Sequence, residues 1–313
     1  MSSETEQSNT VDFDQFAGLP PQLARETIPG WLLSHMDVNE ATEQRVLAGI
    51  RGVLDTHSDD QIQSMMQCFA QTGTDYRLWP ADPVGRAISR AFMYPMIRSS
   101  KVNGLDNLRA AMAMGPTLLL ANHLSYSDTQ LTDVLLAQNG AADIADAIVA
   151  VAGPKVYATP FRRVAAMCLS TLKTAQSSSL VHNEAGLTPR EVGRIAIETV
   201  RRAGELMNAG RPVLVYAEGA RSRDRRLQPF LKAVSKYAGL PNVVLVPVAI
   251  SGSDNLYPVD APKMLTATIQ LSFGAPITAA DLGRRVATEQ CWRAVAGLLP
   301  LENQPTAETL PFV

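Results

Sequence analysis

Apolar residues recur at helical spacing from Leu19 to about position 98 and in short unbroken runs after it. Residues 1–18 are polar and aperiodic, which predicts a flexible tail. From Leu19 the pattern turns helical. Ala41, Val46, Leu47, Ile50, Val53 and Leu54 fall about 3.6 residues per turn between Glu40 and Leu54, and Ile62, Met65, Met66 and Phe69 do so between Asp60 and Ala70. Pro83 to Ile97 gathers Val84, Ile88, Ala91, Phe92, Met96 and Ile97 on one face, with Arg86, Arg90 and Arg98 beside it. Such a face usually packs on a core, the preferred reading; flanking arginines also suit a helix lying in a membrane surface. Residues 19–98 therefore read as a helical region.

The runs that follow read as strands. Thr117 to Ala121 enters through Gly115-Pro116; Ala147 to Ala152, Val213 to Ala217, Asn242 to Ile250 and Met264 to Phe273 follow, with Val102 opening a further strand. Helices fill the intervals: one ending at Met114, one starting at Ser127, one from Glu191 to Asn208 opened by Pro189, and one from Asp281 to Leu299. Residues 177–186 read as a loop, and the tail from residue 301 as irregular. Strand and helix in alternation predict an α/β fold, a largely parallel or mixed sheet flanked by helices, over residues 99–300, after the N-terminal helical region.

Composition narrows the function. The 313 residues are 46% hydrophobic and 19% charged, with a net charge of -2, so no basic excess points to nucleic acid. Cys68, Cys168 and Cys291 lie far apart, which fits reduced thiols better than a disulfide framework or a zinc site. The first nine residues lack the basic and apolar regions of a secretory signal, and no run of 18 apolar residues occurs. The expectation is a cytoplasmic protein, soluble or peripheral on the inner face of a membrane.

Candidate chemistry sits where two of the strands end. Asn122-His123-Leu124-Ser125-Tyr126-Ser127-Asp128 follows the first buried run, and Ser127 with Gln130 fits a capping box opening the next helix. His123 and Asp128 would diverge on one helix, but across a strand-to-helix turn the imidazole can fold back on the carboxylate. A histidine so held is a general base of fixed tautomer. Asp128 equally suits a helix N-terminus for reasons of charge alone. His35 and His57 have no such partner in sequence. A second strand, Val213 to Ala217, ends in Glu218-Gly219-Ala220-Arg221-Ser222-Arg223.

Together these two blocks resemble the glycerolipid acyltransferases, the lysophosphatidate and glycerol-3-phosphate acyltransferase family, which carries an Asn-His-x4-Asp block and a Pro-Glu-Gly-Thr-Arg-Ser-Arg block in this order. Val102 to Asn107, Lys155 to Phe161, and Val246 to Ile250 are similar to further stretches of that family, so the resemblance begins near residue 100. It implies an acyltransferase domain in residues 99–300. The reaction would carry a fatty acyl group from acyl-CoA or acyl-carrier protein, a co-substrate rather than a cofactor, to a hydroxyl of a glycerolipid such as 1-acylglycerol-3-phosphate. His123 would be the base and Asp128 its orienting partner. No metal is called for, and the partners are the donor, a lysophospholipid or other glycerolipid acceptor, and a membrane surface.

Glu218, Gly219, Arg221 and Arg223 carry over as substrate-binding residues; Arg221 and Arg223 would hold the phosphate of the acceptor, or those of coenzyme A or of a carrier's pantetheine. Arg225 and Arg226 fit a solvated basic loop equally well. Ala217 and Ala220 replace the family's proline and threonine. Where the family places an arginine for the acceptor phosphate this chain has Gln176, with Lys173 as the nearby cation. An acceptor without phosphate, and an acyl-thioester or lipid hydrolase with water as acceptor, are the alternatives. The sequence has no Gly-x-Ser-x-Gly elbow, consistent with direct transfer without a covalent intermediate.

Overall fold

The computed structural model describes residues 17–175, 186–259 and 261–312. Its centre is strand β3 (Thr117–Ala121), every residue of which is buried. Parallel neighbours flank it: β6 (Val213–Tyr216) with Leu118 opposite Val213 and Ala121 opposite Tyr216, and β7 (Val244–Ser251) with Thr117 opposite Val244. Next to β6 lie β4 (Val149–Ala152) and β5 (Ser170–Lys173), also parallel. The sheet order is β1-β5-β4-β6-β3-β7-β8-β2, with β9 paired to β7. Short antiparallel contacts close it: β1 (Leu78–Trp79) on β5, and β8 (Gln270–Phe273) and β9 (Ile277–Thr278) on β7, while β2 (Lys101–Asn103) runs parallel to β8. The sheet is mixed around a parallel centre, as the alternation of elements predicts.

Both faces of the centre are covered, which is why its strands read as unbroken apolar runs. Successive side chains point to opposite faces. Leu119, Ala121, Leu214, Val246 and Val248 belong to one apolar cluster; Leu118, Leu120, Val213, Val215 and Leu245 belong to the other. The first cluster takes in the N-terminal helices α1 (Pro21–Leu33), α2 (Glu40–Thr56), α3 (Asp59–Gln71) and α4 (Pro83–Met93), together with Leu131, Val134 and Leu135 of α6 (Asp128–Gln138). Helix α5 (Leu105–Met114) contributes Leu108 and Ala111. On the other face Leu206 and Met207 of α8 (Pro189–Asn208) meet Trp292 and Val295 of α9 (Arg284–Leu298). The remaining longer helix, α7 (Pro160–Met167), lies between β4 and β5.

The apolar face of α4 packs inward: Val84, Ile88, Phe92 and Met93 are buried. Its arginines are not snorkelling cations. Arg90 grips Asp133 of α6 through two bonds of 2.8 and 2.9 Å, and Arg86 and Arg90 both reach Asp146. Among the described residues no helix is long and apolar enough to cross a membrane.

Several boundaries depart from expectation. The strand expected over Met264 to Phe273 is confined to its last four residues, Met264 forming an isolated bridge with Met36. The closing helix breaks at Gly283 (φ 76), so that Ala279–Leu282 and α9 are separate. The tail is not wholly irregular: Leu301–Asn303 is a 3-10 turn and Phe312 bridges Phe230, a residue of the second cluster. The expectations for residues 1–16, for Gln176 and for most of the 177–186 loop lie outside the described residues.

Candidate active site

Because β3 and β6 are parallel neighbours, their C-terminal ends open at the same sheet edge, where ligands bind in α/β folds. The two motif blocks therefore meet. The His123 backbone is held at both ends by the second block: its N–H donates to Glu218 Oε1 (3.1 Å) and its carbonyl accepts from Ser222 N (2.8 Å). Asn122 fastens the other side, donating from Nδ2 to Ile250 O (2.9 Å) and accepting at Oδ1 from Ile250 N (2.8 Å). An asparagine thus replaces a rung of the β3–β7 ladder just where β3 leaves it.

The turn then brings His123 Nδ1 to 2.8 Å from Asp128 Oδ2. The same oxygen accepts from Leu124 N (2.8 Å) and Ser125 N (3.0 Å), and Asp128 is fully buried. Three donors fix one carboxylate oxygen, so the neutral ring carries its proton on Nδ1 and leaves the lone pair on Nε2. The expected capping box is absent. Ser127 lies in the αR region and makes no side-chain bond to α6, because its hydroxyl is taken by Ser125 Oγ at 2.9 Å. Asp128 does the turn-closing work instead.

Glu218 is buried, and burial pushes its carboxyl well above the usual range, against the opposing pull of the His123 amide. Gly219 follows with φ 73, and a Cβ there would sit 2.3 Å from Leu231 Cδ1, so the turn after β6 takes only glycine without strain. Arg221 and Arg223 line the cleft in front of His123, with Lys155 and Lys236; no carboxylate shares that lining, and neither arginine forms an ion pair among the described residues. The cleft measures about 1790 Å³ out to open solvent. Arg225 and Arg226 are structural: Arg225 pairs with Asp254 at 2.9 Å, and Arg226 bonds Gln304 O at 3.0 Å.

Lys173 does not join the site. It ends β5, three strands from β3, roughly 14 Å at the usual strand spacing. Its Nζ donates to Gly73 O at 2.5 Å and lies over the Tyr76 ring, in a separate groove. Thr171, Thr174 and Ala175 around it do line the cationic cleft, so it is the turn of the Lys173 side chain toward Gly73 and Tyr76 that takes it out of the site.

The structure adds residues that motif spacing does not single out. Tyr126 has guanidinium carbons of Arg162 and Arg221 at 3.9 and 3.6 Å from its ring centroid. Together with Gln130 and Val156 it lines both the cationic cleft and an apolar cleft of about 640 Å³ out to open solvent, walled by Ile88, Phe92, Met93, Phe161, Val164 and Met264. Tyr216 stacks on the His123 ring. The aromatic at the end of the VLVY run was visible, but only the β3–β6 register assigns it to His123.

Residues 99–251, just under half of the chain and the whole stretch from β2 to β7, match the family model described as Acyltransferase. This chain carries an acyltransferase-family domain. Over 72 residues it is 32% identical to a chloroplastic 1-acyl-sn-glycerol-3-phosphate acyltransferase of Brassica napus, a match covering 23% of this chain and 21% of that protein. A chloroplastic enzyme of the same description from Arabidopsis thaliana is 31% identical over 72 residues, covering 23% and 20%. The chain thus spans about a fifth of the length of the curated relatives it matches. The crystal structure of the 1-acyl-sn-glycerophosphate acyltransferase from Thermotoga maritima aligns over 88% of this chain and 97% of that one, with a TM-score of 0.46 and 16% identity. Both motif blocks, His123 to Asp128 and Glu218 to Arg223, fall inside the acyltransferase domain so delimited.

Proposed function

We propose that this protein transfers a fatty acyl group from a thioester donor, acyl-CoA or acyl-carrier protein, to the hydroxyl of a glycerolipid such as 1-acylglycerol-3-phosphate. The observation that carries the reading is the 2.8 Å contact of His123 with a buried, triply bonded carboxylate oxygen, on a ring that lines a cleft rich in cations. In the reaction Nε2 takes the proton of the acceptor hydroxyl as its oxygen attacks the thioester carbonyl. The carbon–sulfur bond then breaks, and the imidazolium returns the proton to the leaving thiolate. Asp128 stabilises the charge that the ring gains.

Arg221 and Arg223 suit the phosphate of a substrate, because guanidinium forks match phosphate oxygens and no carboxylate competes for them. The apolar cleft behind Tyr126 suits the acyl chain, since it is walled by aliphatic and aromatic side chains and adjoins the cationic cleft. A lysolipid acceptor resides in a bilayer, so the reading implies peripheral contact with a membrane surface.

Purified protein with labelled acyl-CoA and a panel of acceptors tests this. Ester product is expected with 1-acylglycerol-3-phosphate, and Arg221→Gln should raise the KM for that acceptor by about 10- to 100-fold, the value of a lost charge-assisted bond. Equal turnover of monoacylglycerol would assign the arginines to the donor. Release of free fatty acid without any acceptor dependence would make the protein a hydrolase.

A further inference from the structure

Tyr216 is the last residue of β6 and sits in register with Ala121 of β3, two residues before His123. Alternation along β6 places Leu214 and Tyr216 on the face that carries Ala121 and α6. Opposite Tyr216 there is only the Ala121 methyl, so the phenol ring can lean across to the imidazole. Its centroid lies 4.3 Å from that of His123, with the planes 24° apart. The phenol oxygen is in turn 2.9 Å from Thr129 Oγ1, on the residue following Asp128. The ring is thus pinned at its far end by the helix that supplies the orienting carboxylate.

Hydrogen bonding alone leaves the imidazole under-determined. The Nδ1 contact to Asp128 fixes one atom and one direction, but the ring can still tilt about the Nδ1···Oδ2 line. Such a tilt would carry Nε2 out of alignment with an incoming hydroxyl. A flat aromatic face against the ring removes it. The same face has a second effect. When His123 accepts a proton, the ring becomes a cation directly over an electron-rich π surface, an arrangement that attracts. Phenol ionisation does not enter: burial and the nearby Asp128 carboxylate keep the Tyr216 hydroxyl protonated by raising its pKa well above the ordinary value.

We propose that Tyr216 is a positioning residue for the acyl-transfer reaction, holding the plane of His123 and stabilising the imidazolium formed in the transition state. This rests on the reading of His123 as general base. Tyr216 lines the cationic cleft but is assigned no contact with substrate.

The test compares Tyr216→Leu, which removes the face, with Tyr216→Phe, which keeps it and loses only the hydroxyl's bonds to Thr129 and Thr132. In Tyr216→Leu kcat should fall about tenfold while the donor and acceptor KM stay within twofold; Tyr216→Phe should restore kcat to within threefold of wild type. In parallel, the His123 ring proton signals, identified by their loss in His123→Ala, should be shifted upfield by the aromatic face in wild type and Tyr216→Phe, and move downfield in Tyr216→Leu. Equal kcat in Tyr216→Leu and wild type would overturn the proposal, as would His123 signals unmoved by the leucine. An equal loss in both variants would assign the effect to the hydroxyl's bonds and also overturn it. Wild-type protein without acyl transfer would refute the general-base reading instead, and the ring signals alone would then decide whether Tyr216 holds the imidazole plane.

Discussion

Replacing Asp128 by asparagine probes the site with the smallest change in shape. In wild type Oδ2 accepts from His123 Nδ1, Leu124 N and Ser125 N, whereas Oδ1 is buried with no partner. An asparagine must therefore turn its oxygen to those three donors and its amide into the space of Oδ1, where two N–H groups find no acceptor. Leaving a buried donor unsatisfied costs about 1–3 kcal/mol, so unfolding in urea should show a loss of about 2 kcal/mol. The catalytic effect is larger. Charges about 4 Å apart at an effective dielectric constant near 20 attract by about 4 kcal/mol, and that attraction exists only once the ring is protonated. Its removal predicts a fall in kcat of about a thousandfold. Because Asp128 is fully buried and touches no cleft, KM should be unchanged. Steady-state kinetics with a labelled acyl thioester measures both numbers on protein shown to be folded at the assay temperature. A variant retaining kcat within threefold of wild type would refute the role given to the carboxylate, whatever its stability.

Glu218→Gln reports on the raised carboxyl. A group whose folded pKa lies above its unfolded value favours folding below the unfolded pKa of about 4.5 and loses that contribution as pH rises through the folded value. The variant keeps the acceptor for the His123 amide but puts its NH2 where Oε2 is buried without a partner, a cost that does not vary with pH; its stability relative to wild type should therefore rise progressively above pH 4.5, by about 1.4 kcal/mol per unit of elevation, and urea unfolding at several pH values checks it. A gain independent of pH would contradict a raised pKa. Gly219→Ala forces a φ of 73 on a residue with a side chain and drives its methyl against Leu231; a loss of about 1–3 kcal/mol in thermal or urea unfolding is expected, with a raised acceptor KM as the Arg221 loop shifts. No change in either quantity would show that the loop relaxes without cost.

Much of the fold was legible because the central strands are buried on both faces and therefore stand out as unbroken apolar runs. Edge elements were not: β1 and β9 are two residues each, and no run that short can be told from a loop. The Met264 to Phe273 stretch is apolar enough for a strand, but most of its length is tied by scattered bonds to the segments that follow α1 and α4, as Met264 is to His35 and Asp37 and Ala267 to Met96. At the site, the His123–Asp128 contact could be anticipated from a five-residue spacing across a turn. The placement of Lys173 could not, since nearness in sequence says nothing of which way its side chain turns, and it turns to Gly73 while Thr171 and Thr174 line the cleft. Tyr126, Arg162 and Tyr216 escaped for a related reason: their partners come from separate segments, which strand register brings together for Tyr216 and the packing of α7 for Tyr126 and Arg162.

The most direct measurement is the single-turnover rate of acyl transfer by His123→Ala beside wild type, with the same acyl thioester, acceptor and protein concentration. Loss of the proton acceptor predicts a rate lower by about two to four orders of magnitude, with donor binding intact. Equal rates would mean that the imidazole between Asp128 and the cationic cleft takes no part in the chemistry.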